Sequence, residues 1–324
     1  MNHLNIDVST INLSNFKVES VKMGLDIPLV NNYYHTFNLA LSLGLKSCQT
    51  YIPSNNTIDL EYISDLIRTR KLVQSHPELY TCFHSNLTYN LAGSAKGSTD
   101  PQFKRKLNRS KCGLINELDT SVVIGSGMVS HIGSNKDKQS AYQIISDSIN
   151  EALIVEGDYT LGLSKLTEIP LIDFKTKRKI ILENSAGKGN QLGKTLDEIS
   201  ILCSLINPNL RDNVKVCIDT CHIFDAGQYN FDLPEETRRF YSDFNQKIGL
   251  NKLEVFHFND SLKGFASNAD RHAHLGQGKM FIDEGLKGIK HFVRHTSDLG
   301  IPLIGEYSDG NGMMDVKLVN SLLT

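Results

Sequence analysis

The sequence predicts a closed parallel barrel of strand–helix repeats, a (β/α)8 TIM barrel in a single domain. Three observations carry that prediction. Short apolar or β-branched runs alternate with segments of helical periodicity along the chain. Roughly eight such repeats fit the 324 residues, and about 250 residues are typical of this fold. Nearly every strand-like run ends in a carboxylate or an imidazole, as expected where the strand ends share one mouth. An open doubly wound sheet is the alternative, because it uses the same alternation. Residues 1–20 read as an N-terminal extension and residues 21–324 as the barrel.

The strand-like runs are, in order, VKMGLDIPL, GLKSCQTYI, ELYTCFHS, TSVVIGS with GMVSHIG, KIILEN, VKVCIDT, LEVFHFND and IPLIGEY. Between them, DLEYISDLIRTRKLV places Leu60, Ile63, Leu66 and Ile67 on one helical face. AYQIISDSINEALIV does the same with Ile144, Ile145, Ile149 and Leu153. Asp232 and Pro234 ahead of EETRRFYSDF mark a helix start. The stretch SAKGSTDPQFKRKLNRSK reads as a long loop entering a helix, and Asp158–Lys177 as an insertion before a strand.

Hydrophobic residues make up 40% of the chain and charge is mixed, so a folded globular protein is expected. No apolar run approaches the roughly 18 residues that span a bilayer, so no membrane partner is expected. The N-terminus lacks a basic region followed by an apolar core, which gives the sequons at Asn12, Asn86 and Asn108 little weight. The six cysteines then read as reduced thiols of an intracellular protein, cytoplasmic or, in a eukaryote, nuclear. A net charge of −2 gives no global sign of a nucleic-acid partner. Two local basic runs, Lys104–Lys111 and Lys175–Lys179, leave room for a phosphate-contacting groove.

His84, His131, Glu183, Asp219, His257 and Glu306 each sit at or beside the end of a strand-like run. One such histidine is ordinarily structural. Six polar groups converging on one mouth need partners, which a metal cluster provides. Asp219 and His222, three apart, can enter the same mouth, and Asp270, His272 and His274 alternate in a loop after a strand. Nitrogen and oxygen donors without thiolate suit zinc, with manganese or iron as alternatives at some positions. Cys217 and Cys221 lack the spacing and the second pair of a four-cysteine site, and read as packing residues. NSAGKGNQLGKT fails the P-loop spacing, because Lys188 stands where the first glycine belongs.

HSNLTYNLA, ENSAGKGNQLG, CIDTCHIFDAG and HFNDSLKGFASNADRHAHLGQG resemble the motifs of the endonuclease IV family of apurinic/apyrimidinic (AP) endonucleases. The resemblance runs from about Lys22 to the end of the chain. It implies three metal ions, usually zinc. His84, His131 and Glu183 would hold the first, and Glu183, Asp219, His257 and Glu306 the second. His222, Asp270 and His272 would hold the third, with Glu183 also serving catalysis and His274 left out. The implied reaction is hydrolysis of duplex DNA 5′ to an abasic site, leaving a 3′-hydroxyl, by a monomer. Implied DNA contacts are Leu87, Tyr89, Lys104, Arg105 and Arg271.

The chain departs from the family pattern at HIGSN, where Ile132 replaces a proline and Asn135 a histidine. Leu87 also stands where an aromatic residue is common, with Tyr89 as its candidate substitute. Two other readings use the same barrel: a metal-dependent sugar isomerase or epimerase, and a barrel that binds lesions without turnover. An isomerase site needs one or two ions and no second D-x-H cluster, and a decayed enzyme should have lost ligands.

Overall fold

A computed structural model of the chain describes residues 21–53, 58–283 and 286–322. The proposed extension, residues 1–20, lies outside the described residues. In chain order the first half comprises β1 (Met23–Asp26), α1 (Tyr33–Ser42), β2 (Ser47–Tyr51), α2 (Leu60–Ser75), β3 (Tyr80–His84), α3 (Phe103–Ile124), β4 (Gly127–His131) and α4 (Lys138–Ile154). Two short helices follow, α5 (Asp158–Thr167) and α6 (Leu171–Lys177). Then come β5 (Ile180–Glu183), α7 (Leu196–Leu205), β6 (Val214–Asp219), α8 (Thr220–Asp225), α9 (Pro234–Lys247) and β7 (Leu253–His257). A two-stranded hairpin, β8 (Asp260–Ser261) with β9 (His272–Ala273), precedes α10 (Lys287–Asp298), β10 (Leu303–Gly305) and α11 (Met313–Ser321).

Strands β1 to β7 and β10 close into a barrel in which each pairs in parallel with its neighbours, and β10 joins β7 to β1. Side chains alternate between the two faces of a strand. Cys82, Val129, Ile181, Cys217, Val255 and Ile304 therefore point inward and form a buried apolar layer. Phe83, Met128, Leu182, Ile218, Phe256 and Leu303, one position away, point outward into the main core under the helices. The inner layer is the floor on which the site rests.

The helical faces follow their periodicity with one exception. Ile63 and Leu66 of α2 and Ile145, Ile149 and Leu153 of α4 are buried. Leu60 is 82% exposed, because α2 begins at that residue, directly after the Asp59 cap that accepts the Tyr62 N–H. The expected strand TSVVIGS is instead the end of α3. Val122, Val123 and Ile124 are buried on that helix, which stops at Gly125 in the left-handed region (φ 92°). A short unbroken apolar run fits either element, and here tertiary burial outweighed β propensity.

The insertion forms α5 and α6, which bury Leu163 and Phe174. Arg178, fully buried, fastens them to the barrel. Its guanidinium donates to Asp119 at 2.6 and 2.8 Å and to the carbonyls of Ala152 and Val155. Thr160 of α5 donates its hydroxyl to the other Asp119 oxygen at 2.6 Å. All six cysteines are unbridged. Among the described residues no helix is long and apolar enough to cross a membrane.

Candidate metal centre

Two residues beyond each member of the inner apolar layer, on the same face, stands one of the six strand-end groups. Cys82 precedes His84, Val129 precedes His131, and Ile181 precedes Glu183. Cys217 precedes Asp219, Val255 precedes His257, and Ile304 precedes Glu306. The strand period of two thus turns six separate sequence positions into one ring at the C-terminal mouth. His222 joins from α8 rather than from the strand. Asp219 caps that helix by accepting the His222 N–H at 2.9 Å, which turns the imidazole back over the mouth. The β8–β9 hairpin brings Asp270 from its loop and His272 from the start of β9.

Glu183 lies at the centre. Its Oε2 is 3.2 Å from His84 Nε2 and 3.2 Å from His131 Nδ1. Its Oε1 is 3.2 Å from His257 Nδ1 and 3.3 Å from His222 Nδ1. His257 Nδ1 is also 3.1 Å from Glu306. To one side, His222 Nε2 lies 3.0 Å from Asp270, and His272 Nε2 lies 3.3 Å from Asp219. Three sets with ligand atoms within 4.8 Å of one another emerge: His84–His131–Glu183, Glu183–Asp219–His257–Glu306 and His222–Asp270–His272. A fourth set adds Cys221 to Asp219 and His272. Burial pushes the Cys221 thiol up, which disfavours the thiolate a metal would need.

The donor chemistry fits divalent cations. Four of the five imidazoles have one nitrogen tied outside the ring of ligands and the other facing carboxylates. The Nδ1–H groups of His84, His222 and His272 reach the carbonyls of Ser85, Asn184 and Glu306 at 2.8, 3.0 and 3.2 Å. His257 Nε2 reaches the Gln49 side-chain oxygen at 2.9 Å. This fixes each tautomer and aims a lone pair inward. His272 Nε2 is buried without a hydrogen bond, although Asp219 and Asp270 lie close by. A nitrogen so placed among carboxylates suits a cation between them.

Burial works against charge on Glu183, but His131, His257 and His222 outweigh it and hold the carboxyl well below its usual range. Asp219 is likewise held down, against burial, by His222 and His272. Burial opposes charge on His272 too, yet Asp219 lifts it to about 9. Burial dominates at His131 and lowers it.

Sequence reasoning missed an outer layer of polar side chains. Gln49 of β2 touches His257, donates to Glu306 at 2.9 Å and lies 3.3 Å from Asp26. Asp26 closes β1 at the same level, and burial together with the Glu306 charge pushes it up to about 7. Asn259 donates to Asp219 at 2.9 Å and accepts the Glu306 N–H, and Asn184 accepts the Asp219 N–H. The amides directly after Glu183 and two after His257 were the available signals.

Residues 37–311 match the family described as the xylose isomerase-like TIM barrel. An endonuclease 4 of Persephonella marina is 30% identical over 295 residues, covering 88% of this chain and 90% of the relative. The chain belongs to the endonuclease IV family of these barrels. A second family member, an endonuclease 4 of Acanthamoeba polyphaga mimivirus, is 26% identical over 308 residues, covering 93% of this chain and 90% of its own. The crystal structure of endonuclease IV from Thermus thermophilus superimposes with a TM-score of 0.69 at 20% identity. That likeness covers 93% of this chain and 98% of the other, and it establishes the shared fold.

The departures from the endonuclease IV pattern now have physical settings. Asn135, where the family has histidine, is buried and donates to the Ala92 carbonyl at 2.9 Å, so it holds the loop rather than facing the mouth. Leu87 is 61% exposed just past β3. Tyr89 is half-buried and packs against α3, where a Cβ on Gly113 would fall 2.0 Å from its hydroxyl. Lys104 and Arg105 are exposed in the first turn of α3, and Arg271 is exposed between two of the candidate ligands. The second basic run is corrected as a DNA contact. It precedes β5, at the end of the barrel away from the mouth, and its members are ion-paired: Lys175 with Glu156, Lys177 with Asp173, Arg178 with Asp119 and Lys179 with Glu254. His274 is held between Asp309 and Asp315, outside the three sets.

Proposed function

We propose that this protein is an AP endonuclease that hydrolyses the phosphodiester 5′ to an abasic site in duplex DNA, leaving a 3′-hydroxyl. The observation that carries the reading is Glu183 shared between two ligand sets, with a third set, His222–Asp270–His272, alongside. Three divalent ions, zinc first and manganese or iron at some positions, suit this pattern of donors. When bound, such ions lower the pKa of water and neutralise charge on the phosphoryl and leaving oxygens. His84, His131 and Glu183 would hold one ion, Glu183, Asp219, His257 and Glu306 a second, and His222, Asp270 and His272 the third.

The chain's own part is preorganisation. Glu183 keeps one oxygen toward His84 and the other toward His257, so this one carboxylate would serve in holding both ions. Leu87, Lys104, Arg105 and Arg271 are exposed; on this reading the cations would meet DNA phosphates and Leu87 would meet the distorted duplex. An abasic nucleotide lacks stacking, so extruding it costs less than flipping an intact base. That supplies selectivity without reading sequence. All nine candidate ligands come from one chain, which supports action as a monomer. A DNA substrate supports a place inside a cell, in cytoplasm or nucleus.

A sugar isomerase of the same barrel would leave the His222–Asp270–His272 set without a purpose. The test is a duplex carrying one abasic analogue, incubated in magnesium-free buffer. The expected result is a nick 5′ to the analogue that disappears after strong chelation and returns with zinc. Incision that survives complete chelation, or none with zinc restored, contradicts the reading.

A further inference from the structure

Asp225, the last residue of α8, belongs to none of the ligand sets, yet its carboxylate is fully buried beside one of them. Its Oδ2 accepts the backbone N–H of Asp270 at 2.8 Å. Its Oδ1 accepts the Ser261 hydroxyl at 2.7 Å, and its carbonyl accepts the Asn268 N–H at 2.8 Å. The carbonyl of Phe224 takes the Ala266 N–H at 3.2 Å. The end of α8 thus holds every second residue of the segment that leads to Asp270.

That segment needs holding. Ala266, Asn268 and Asp270 have φ values of 62°, 53° and 56°, in the left-handed region that non-glycine residues avoid. Such residues persist only where their surroundings over-determine them. The outcome is that the Asp270 carboxylate lies 3.0 Å from His222 Nε2 and 3.8 Å from His272 Nε2. His222 and Asp225 are three apart on the same short helix, so one element supplies a ligand and the clamp on its partner ligand.

We propose that Asp225 is a positioning residue that presets the His222–Asp270–His272 set before any ion arrives, by accepting the Asp270 N–H and the Ser261 hydroxyl. This deepens the metal-centre reading above and rests on it. What it requires is an acceptor in place, not a charge. An asparagine can keep its oxygen toward the Asp270 N–H and donate its amide to the Ser261 hydroxyl oxygen, so Asp225→Asn should behave like the parent chain, whereas Asp225→Ala should not.

The test is zinc titration against a chromophoric chelator of known affinity, on the full-length parent, Asp225→Asn and Asp225→Ala. The expected result is three ions on the parent and on Asp225→Asn. On Asp225→Ala two ions keep parental affinity and the third weakens about 10- to 100-fold. Three ions of parental affinity on folded Asp225→Ala overturn the proposal. Amide hydrogen exchange on chelated parent protein decides the matter even if Asp225→Ala does not fold. Protected Asn268 and Asp270 amides support a preset loop, and freely exchanging ones overturn it. A parent chain that binds fewer than three ions overturns the metal-centre reading itself, while the exchange measurement still judges Asp225.

Discussion

Glu183 faces His84 at 3.2 Å with one carboxylate oxygen and keeps the other for His257, also at 3.2 Å. Among the described residues no other belongs to both of these ligand sets. Glu183→Ala therefore removes a ligand from two ions at once. Incision of abasic duplex should fall by roughly 10³-fold or more, the scale seen when a member of a catalytic unit is lost, and at least one ion per chain should be lost. Glu183→Gln should follow it, since the neutral amide gives up the charge that the surrounding imidazoles stabilise.

The two cysteines of CIDTCHIFDAG should prove dispensable for turnover. Cys217 lies in the inner apolar layer, and burial pushes its thiol up to about 11. Cys221 sits on α8, also buried with its thiol pushed up. Cys217→Ser should cost about 1–3 kcal/mol of stability, because the hydroxyl enters an apolar layer. Steady-state incision at saturating substrate should stay within severalfold of the parent for either Ser variant. Loss of activity in a folded variant would assign a thiol to the chemistry.

The ring of ligands was legible because strand periodicity is strict. An apolar residue, an outward residue and then a polar one repeats in CFH, VSH, ILE, CID and VFH. Asp26 and Gln49 escaped for opposite reasons. Asp26 closes its strand as Glu183 does, but in sequence it is followed by Ile27, Pro28 and Leu29 and merges into an apolar segment. Gln49 is mid-strand, and only its register with Asp26 brings it level with the ligands. Sequence spacing could not say that His222 enters from a helix, because a cap at Asp219 and a longer strand leave the same three-residue interval. Lys175–Lys179 misled because a charge run carries no sign of which end of the barrel it occupies; its position before β5, not after it, is what decides.

Glu117, which belongs to none of the ligand sets, offers a pH test. It is buried on α3, and that burial pushes its pKa up to about 8 from 4.5. A raised carboxyl favours the folded state when protonated. Its contribution is full below about pH 4.5 and is lost as pH rises through about 8. Glu117→Gln should therefore gain on the parent in that window, by at most about 5 kcal/mol at the alkaline end. Melting temperatures of both proteins from pH 5 to 9 check this. Parallel curves would contradict it.

Arg178 tests the fastening of the inserted helices. It and Asp119 are both fully buried, so Arg178→Ala leaves an unpaired carboxylate in the interior. The expected loss is about 3–5 kcal/mol in urea denaturation. The number of bound ions in the folded fraction should not change, since the pair lies at the end of the barrel away from the mouth.

If one chain assembles three metal sites, two of them sharing Glu183, then counting the ions on a single chain reads that arrangement out. Native mass spectrometry of the purified protein, with and without prior chelation, makes the count. Three zinc-class ions per chain are expected in the untreated parent, none after chelation, and at most two in Glu183→Ala. A parent chain that carries a single exchangeable ion, or a Glu183→Ala chain that still carries three, would contradict the shared-carboxylate centre.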